Sequence, residues 1–493
     1  MQVNDVKQIE KELVAEVFVN RNKVITQALF NTSIFHGYDD LLVGESPSAS
    51  LSITSRIFGF CGSSHQIAAA HALEHIGDAK IPPNAHLIRS VIQAAEILQN
   101  SIKWFYTSFA PDLSHPNFQQ FPLHPTACSR FEAFKGTSFR QGIMGGTYPI
   151  SLLSLLAGQW PHAEYIVPGG IAKPINIETI GKAKEIVQNF RQKWLEPILL
   201  NSTLDSYLSI DTWEALLAWL YEKKEHQNGD LGLFFRTCLE YGLDELGGSK
   251  SPFLSFGAFW NKEIDLNINP KNFIAATQFP SGIFNGKQYK SLRPTQFIET
   301  LRNKELLDQE ALYQSLPPYE TGSLARMLLQ SQEANAVPVC KGLIKDIYSQ
   351  KGASVFLRAF ARIHEMMILC DYMETCLSDI QPSDSHLNPF KIPDGVGFGM
   401  TEAPRGSLGH FVELQKGRIH QYRILAPTVC NINSGVTSKK MAPLGQALLG
   451  VSIQDLDHPI EIGMIARSFD TCLRCTVNLW KSSGKKQIGQ VVV

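Results

Sequence analysis

The chain has 493 residues, of which 44% are hydrophobic and 18% are charged, and its formal net charge is −1 at pH 7. A single hydrophobic core rarely grows beyond roughly 250–300 residues, so this length predicts several layers or subdomains. The balance of charges gives no electrostatic reason to expect nucleic acid or an anionic membrane as a partner. No apolar run reaches the roughly 18 residues of a membrane span, so no transmembrane segment is predicted.

The N-terminus and the cysteines are the features of the sequence that predict the cellular compartment. Residues 1–7 lack the basic-then-apolar pattern of a secretory signal. Nine cysteines are too few for a disulfide scaffold in so long a chain, and their number is odd. We therefore expect reduced thiols and a cytoplasmic location, with membrane association only through partner proteins.

The predicted elements are mainly helical, with strands towards both ends of the chain. Alternating residues predict a β-hairpin over 10–30, and residues 108–175, rich in Pro, Gly and His, are expected to form ordered loops with short strands. Further strands are predicted over 409–414 and 418–425, and a short helix over 444–449. Helical periodicity, with Ser63 and Ser64 as caps of the first helix, predicts helices over 63–75, 87–105, 177–199, 211–224, 296–314 and 353–378. We expect an α+β fold with a long-helix core, over which material from both ends of the chain meets.

Two cysteine-bearing segments lie near opposite ends of the chain. Cys472 and Cys475 are separated by two residues, a spacing at which two thiols reach one metal ion from a single turn. Upstream, Cys61 supplies a third thiol and His65, one helical turn later, supplies an imidazole. Three thiols and one imidazole suit tetrahedral zinc, while the plain alternative is that the thiols are buried as small hydrophobic side chains.

Further motifs lie between these segments. Together with Arg56–His65 and Arg467–Asn478, they resemble the signatures of the large subunit of nickel–iron hydrogenases. The intervening motifs, in the family's order, are Gly145–Pro149, Val167–Gly170, Pro318–Arg326, Thr401–His410, Pro427–Asn431 and His458–Pro459. The resemblance spans roughly residues 6–478. It implies the mainly helical α+β fold of that subunit as one intertwined unit over residues 1–478, followed by a C-terminal extension over 479–493.

The resemblance also implies a metal centre. In that family each end of the chain contributes a Cys-x-x-Cys pair; four thiolates hold nickel, and the second thiolate of each pair bridges to an iron carrying carbon monoxide and cyanide. Cys61 and Cys475 match the bridging thiolates and Cys472 matches a terminal nickel ligand. Phe58 stands where the fourth thiolate is expected. Because a phenyl ring has no lone pair to donate, we expect that the standard nickel site does not form.

Polar residues around the metals are retained in part. Arg405, Asp470 and Asp112 match residues that the family places over the metals. Thr428 matches a hydroxyl that contacts cyanide, and Pro404, in the motif Thr401–His410, is assigned to the same cofactor-binding set. Buried ion pairs and hydrogen bonds that support the fold are predicted for Arg326, Arg358, Arg362 and Glu365.

Other positions depart from the family. Asp39 stands where the family usually has a proton-relaying glutamate. Glu10 matches a glutamate that helps to hold a structural magnesium, and the C-terminal partner of that glutamate, normally a histidine, is Asn478. Histidines at the end of the helix predicted over 87–105 are replaced by Ser101 and Trp104.

Three functional classes follow. The first, which we favour in a degenerate form, is an oxidoreductase that oxidises hydrogen or reduces protons at a modified metal centre, where Arg405 and Asp470 assist heterolysis and Asp39 passes protons. The second is a non-catalytic sensor or scaffold, and the third is a structural zinc site. The resemblance implies an iron–sulfur small subunit as partner in a heterodimer, and it allows maturation proteins.

The C-terminal extension bears on maturation. Many family members lose such an extension after the signature's final histidine, once nickel is bound. Because Asn478 occupies that position and one thiol is missing, we expect residues 479–493 to remain attached. Ile488 and Val491–Val493 have the character of residues that pair at a sheet edge.

Overall fold

A computed structural model describes residues 13–31, 38–260, 277–291, 317–331, 342–432, 441–471, 475–481 and 487–492. Its α-helices are α1 (Tyr38–Leu42), α2 (Ala49–Ile57), α3 (Gly62–Gly77), α4 (Pro83–Trp104), α5 (His124–Phe131), α6 (Thr137–Gly145), α7 (Thr147–Ala157), α8 (Ile177–Phe190), α9 (Leu204–Leu208), α10 (Trp213–Glu222), α11 (Lys224–Asn228), α12 (Asp230–Glu240), α13 (Ser323–Gln330), α14 (Leu343–Lys351), α15 (Val355–Asp379), α16 (Pro427–Ile432), α17 (Pro443–Leu448) and α18 (Ile460–Phe469). Its strands are β1 (Leu13–Val19), β2 (Ile25–Asn31), β3 (Ile166–Val167), β4 (Gly170–Ile171), β5 (Phe253–Trp260), β6 (Thr277–Phe284), β7 (Tyr289–Ser291), β8 (Gly395–Ala403), β9 (Gly406–Gln415), β10 (Arg418–Leu425), β11 (Cys475–Lys481) and β12 (Gln487–Val492).

The centre of the molecule is formed by the two longest helices, α4 and α15, which pack against each other. Both helices are buried along most of their length. This confirms the predicted long-helix core.

One sheet joins the two ends of the chain, in the strand order β12-β11-β1-β2. The predicted hairpin is confirmed, because β1 and β2 pair antiparallel. β11 lies parallel to β1 with Cys475 opposite Leu13. The predicted meeting of the two ends is thus made by backbone hydrogen bonds.

A second sheet, in the order β10-β9-β8, packs against helix α3. A Cβ atom added at Gly397 would lie 2.0 Å from the carbonyl oxygen of Ala72, and one added at Gly399 would lie 1.9 Å from that of Ala68. Only glycine allows so close an approach between a strand and a helix backbone. The two glycines therefore set the position of α3, whose N-terminus carries Cys61.

The prediction for residues 108–175 is wrong in part. Residues 108–175 contain the helices α5, α6 and α7, in addition to the short strands β3 and β4. Pro125 and Pro149 lie in the first turns of α5 and α7, where proline costs no hydrogen bond. Helix α18, of which nearly all residues are buried, was not predicted. The helix predicted over 296–314 lies outside the described residues.

Candidate metal centre

The loop that carries Cys61 is held by helix α4. The Glu96 carboxylate accepts hydrogen bonds from the backbone N–H groups of Ser63 (2.7 Å) and Ser64 (2.9 Å) and from the Ser64 hydroxyl (2.5 Å). Asn100 Nδ2 donates to the Phe60 carbonyl at 2.7 Å. The prediction that Ser63 and Ser64 cap α3 through their own side chains is therefore wrong: a carboxylate from a neighbouring helix satisfies the first turn.

Phe58 follows α2 directly and contacts the imidazole of His65. The two rings are parallel within 1°, with their centroids 4.0 Å apart, and Phe58 packs against the main hydrophobic core. The side chain that replaces the expected thiol is thus well packed and contacts a residue of the same motif. We call residues 58–65, which comprise the loop and the first turn of α3, the Cys61 loop.

His65 is linked to two further buried polar groups. Its Nδ1 lies 2.9 Å from His410 Nε2, and His410 Nδ1 lies 2.7 Å from the Tyr422 hydroxyl. Burial lowers the pKa of His65 well below its ordinary value, with a further contribution from His410, and burial lowers the pKa of His410 to about 3. Both imidazoles are therefore neutral at physiological pH.

The three candidate thiols differ in what the structure describes. Cys61 is buried, with 6% of its surface exposed. Cys475 begins β11, and its side chain lies outside the described residues, as does all of Cys472. Within the described ranges, no group of three or more His, Cys, Asp and Glu side chains could hold a metal ion.

Arg405 and Asp470, predicted to stand over the metals, do meet. Arg405 Nε lies 3.4 Å from Asp470 Oδ1, with 15% and 11% of the two side chains exposed. Asp470 ends helix α18 in a left-handed conformation (φ 52°), two residues before Cys472. Lys103 lies near this pair: burial lowers its pKa, Arg405 lowers it further, and Asp470 opposes the shift. The pair therefore lies beside the second cysteine segment, at the end of α4.

Asp112 pairs with Arg467 and not with Arg405. Arg467 Nε donates to Asp112 Oδ2 at 2.6 Å. Burial raises the pKa of Asp112 to about 6, although Arg467 acts in the opposite direction. Its carboxyl group therefore exchanges a proton near neutral pH, which suits a proton-transfer group.

Trp104, at a position where the resemblance places a histidine, has a structural contact. Its indole N–H donates to the backbone carbonyl of Arg467 at 2.8 Å, and the Arg362 guanidinium lies 4.1 Å from its ring centroid. Arg362 also donates to the Ser468 carbonyl at 3.3 Å. Together these residues anchor the last turn of α18, directly before the cysteine segment.

Behind this region lies a set of fully buried ion pairs, here called the ion-pair cluster. Arg326 binds Glu365 (2.5 Å) and Glu402 (2.9 Å), and Arg358 binds Glu320 (2.8 Å). The predicted supporting role of Arg326, Arg358 and Glu365 is confirmed by these contacts, and Glu320 and Glu402 are partners that the sequence did not reveal.

The remaining predicted residues fall in different places. The Pro404 carbonyl accepts a hydrogen bond from Arg326 at 3.3 Å, and Thr428 is buried in α16. Glu10 and the side chain of Asp39 lie outside the described residues. A carboxylate that sequence reasoning missed is Glu16 on β1, which accepts a hydrogen bond from Asn478 Nδ2 at 3.2 Å. In the sequence, Glu16 is one residue of an alternating strand pattern, and such a pattern does not indicate this contact.

The chain resembles known proteins over nearly its whole length. The large subunit of the periplasmic NiFeSe hydrogenase of Desulfomicrobium baculatum is 25% identical, covering 97% of this chain and 94% of that protein. The hydrogenase-1 large chain of Escherichia coli K12 is 23% identical, covering 99% and 96%. The structure of the Ni-Fe-Se hydrogenase of D. vulgaris Hildenborough in the reduced state superimposes with a TM-score of 0.71 at 21% identity, covering 95% of this chain and 97% of that one.

The fold and the two cysteine segments define the class of a hydrogenase large subunit. The family model described as nickel-dependent hydrogenase matches residues 36–115 and 149–478. The chain therefore belongs to the nickel-dependent hydrogenase family, and the resemblance seen in its motifs is confirmed. No helix within the described ranges is long and apolar enough to cross a membrane.

Proposed function

We propose that this chain is the large subunit of a hydrogen-linked redox heterodimer whose metal centre lacks one thiolate. The observation that carries the proposal is the Phe58 ring, which is packed against His65 at 4.0 Å where the family's fourth thiolate is expected. A four-thiolate nickel site does not fit the residues present. Cys61, Cys472 and Cys475 remain as thiol donors, and soft thiolates suit iron as well as nickel.

The polar groups near Cys61 would handle protons. Arg405, held near Asp470, would polarise a small molecule at the centre, and Asp112 has a pKa of about 6 that suits reversible proton uptake. Asp39 would pass protons onward, while Thr428 and Pro404 would line the cyanide-binding side. Glu10 would help to hold magnesium. These roles are assigned by the resemblance and by the contacts described above.

An iron–sulfur small subunit is the proposed partner, in a cytoplasmic complex. We propose that Phe60, Ile143 and Met144, which are large apolar side chains 48%, 53% and 65% exposed, belong to the surface that this partner covers. The Phe60 carbonyl binds Asn100 on α4, and α6, which carries the other two, also packs against α4. We expect Met144→Glu to weaken the complex at least tenfold (about 1.4 kcal/mol), because a charge would be buried in the interface. The exposed Ile177→Glu, on α8, is the control; equal affinity for both variants would contradict this surface.

The missing thiolate is tested by restoring it. The Phe58→Cys variant, produced with the host's maturation proteins, should gain nickel relative to the natural chain. Phe60→Cys is the matched control, because it adds a thiol two residues away in the same loop. Nickel is measured by elemental analysis of each purified chain. Equal nickel in the natural chain and Phe58→Cys would overturn the proposal, and stoichiometric zinc in the natural chain would favour a structural zinc site.

A further inference from the structure

The segment after the cysteine signature is part of the sheet that joins the two chain ends. β12 pairs antiparallel with β11, with Val477 opposite Val491 and Leu479 opposite Gly489. β11 therefore has β1 on one side and β12 on the other, and it is an inner strand of the sheet. The family model ends at residue 478, in the middle of β11. A chain that ended there would lose half of this strand and all of its outer neighbour.

Side chains reinforce the pairing across three strands. Glu16 on β1 accepts from Asn478 Nδ2 on β11 at 3.2 Å, and Asn478 Oδ1 accepts from Gln487 Nε2 on β12 at 3.2 Å. The second carboxylate oxygen of Glu16 accepts from the indole N–H of Trp480. Leu479, between these residues, is fully buried in the main core. Three of the residues that make these contacts, Leu479, Trp480 and Gln487, therefore lie beyond residue 478.

This arrangement fixes the register of β11. A shift of a strand by one residue exchanges its two faces, so register must be specified by contacts such as these. The first residue of β11 is Cys475, opposite Leu13. The position of the backbone at this cysteine therefore depends on contacts made further along the same strand.

We propose that residues 479–481 and the strand β12 together form a permanent clamp that fixes β11 on β1 in the working protein. The clamp consists of the backbone pairing of β12, the buried Leu479 side chain, and the contacts of Trp480 and Gln487. This inference concerns the sheet alone and does not depend on which metal the chain binds.

The experiment compares the full chain with a chain that ends at Asn478, by hydrogen exchange and thermal unfolding. We expect the short chain to exchange the β1 amides at least about tenfold faster, because its parallel partner is shortened and exposed. We expect its unfolding midpoint to fall by at least about 5 °C. Unchanged exchange in residues 13–19 and an unchanged midpoint would overturn the proposal.

If the short chain does not fold, hydrogen exchange is measured on two point variants of the full chain instead. Trp480→Phe removes the indole N–H while keeping an aromatic ring, and Gln487→Ala removes the link to Asn478. Each should speed exchange in β1, whereas Lys481→Ala, at the exposed end of β11, should not. Equal exchange in all three variants would overturn the clamp, as would an intact mass of the native protein that corresponds to a chain ending at Asn478.

Discussion

The Cys61 loop and the ion-pair cluster differ in the kind of contact that holds their central side chain. In the Cys61 loop, an aromatic ring occupies a position where the family has a ligand, and it stacks on His65. In the ion-pair cluster, every charge has a close partner of opposite sign, with Arg326 between Glu365 and Glu402. The charges behind the site are therefore paired within the chain, whereas the proposed metal centre has a phenyl ring at a position where we expect a thiol.

The largest expected effect lies in the ion-pair cluster. Replacing Arg326 by Leu leaves Glu365 and Glu402 buried without their common cation, and we expect a loss of about 3–5 kcal/mol in the free energy of unfolding. Urea denaturation measures it. Arg56→Leu is the control, because Arg56 and its partner Glu164 are about half exposed (49% and 57%), and such pairs contribute below about 1 kcal/mol. Similar losses of unfolding free energy for the two variants would contradict the claim that the buried ion pairs contribute more than the exposed pair.

The second effect is a pH dependence at Asp112. Its native pKa of about 6 lies above the ordinary value of 3.8. Between these values the folded chain holds a proton that the unfolded chain has released, so the contribution of this group to stability falls as pH rises through that window. Relative to Asp112→Asn, the natural chain should lose about 2–3 kcal/mol between pH 4 and pH 7, at roughly 1.4 kcal/mol for each pKa unit. Urea unfolding of both chains across this range measures the difference, and a flat difference between the natural chain and Asp112→Asn would refute the raised pKa.

The smallest effect lies behind the Cys61 loop. Tyr422→Phe removes the hydroxyl that bonds His410, leaving a buried imidazole nitrogen without this partner, and we expect a loss of about 1–2 kcal/mol. The exposed Tyr221→Phe should change stability by less than about 0.5 kcal/mol. Nitrogen chemical shifts of the His65 and His410 rings should also move in Tyr422→Phe. Unmoved shifts would show that the two imidazoles do not depend on this hydroxyl.

The sequence predicted the elements that have a regular pattern. The hairpin of β1 and β2 and the long helix α4 show clear periodicity, and their existence is confirmed. Helix α18 has only ten residues, which is shorter than the stretch over which a helical period is readily recognised. The helices α5 and α7 were not predicted because proline at a helix start resembles proline in a loop.

The candidate site was predicted in part, because residue types were readable and partners were not. The motif positions identified Arg405, Asp470 and Asp112. The actual pairing of Asp112 with Arg467, 355 positions away along the chain, depends on how α18 meets the end of α4. The role of Glu96 in holding the Cys61 loop was also invisible, since nothing local links it to Ser63 and Ser64.

The most direct test of the altered donor set is elemental analysis of the natural chain purified from its own host, combined with infrared spectroscopy. Because Phe58 replaces a thiolate, we predict nickel far below one atom per chain. Carbonyl and cyanide stretching bands without nickel would indicate that the iron half of the centre is retained on Cys61 and Cys475. One nickel atom per chain together with those bands would contradict the account.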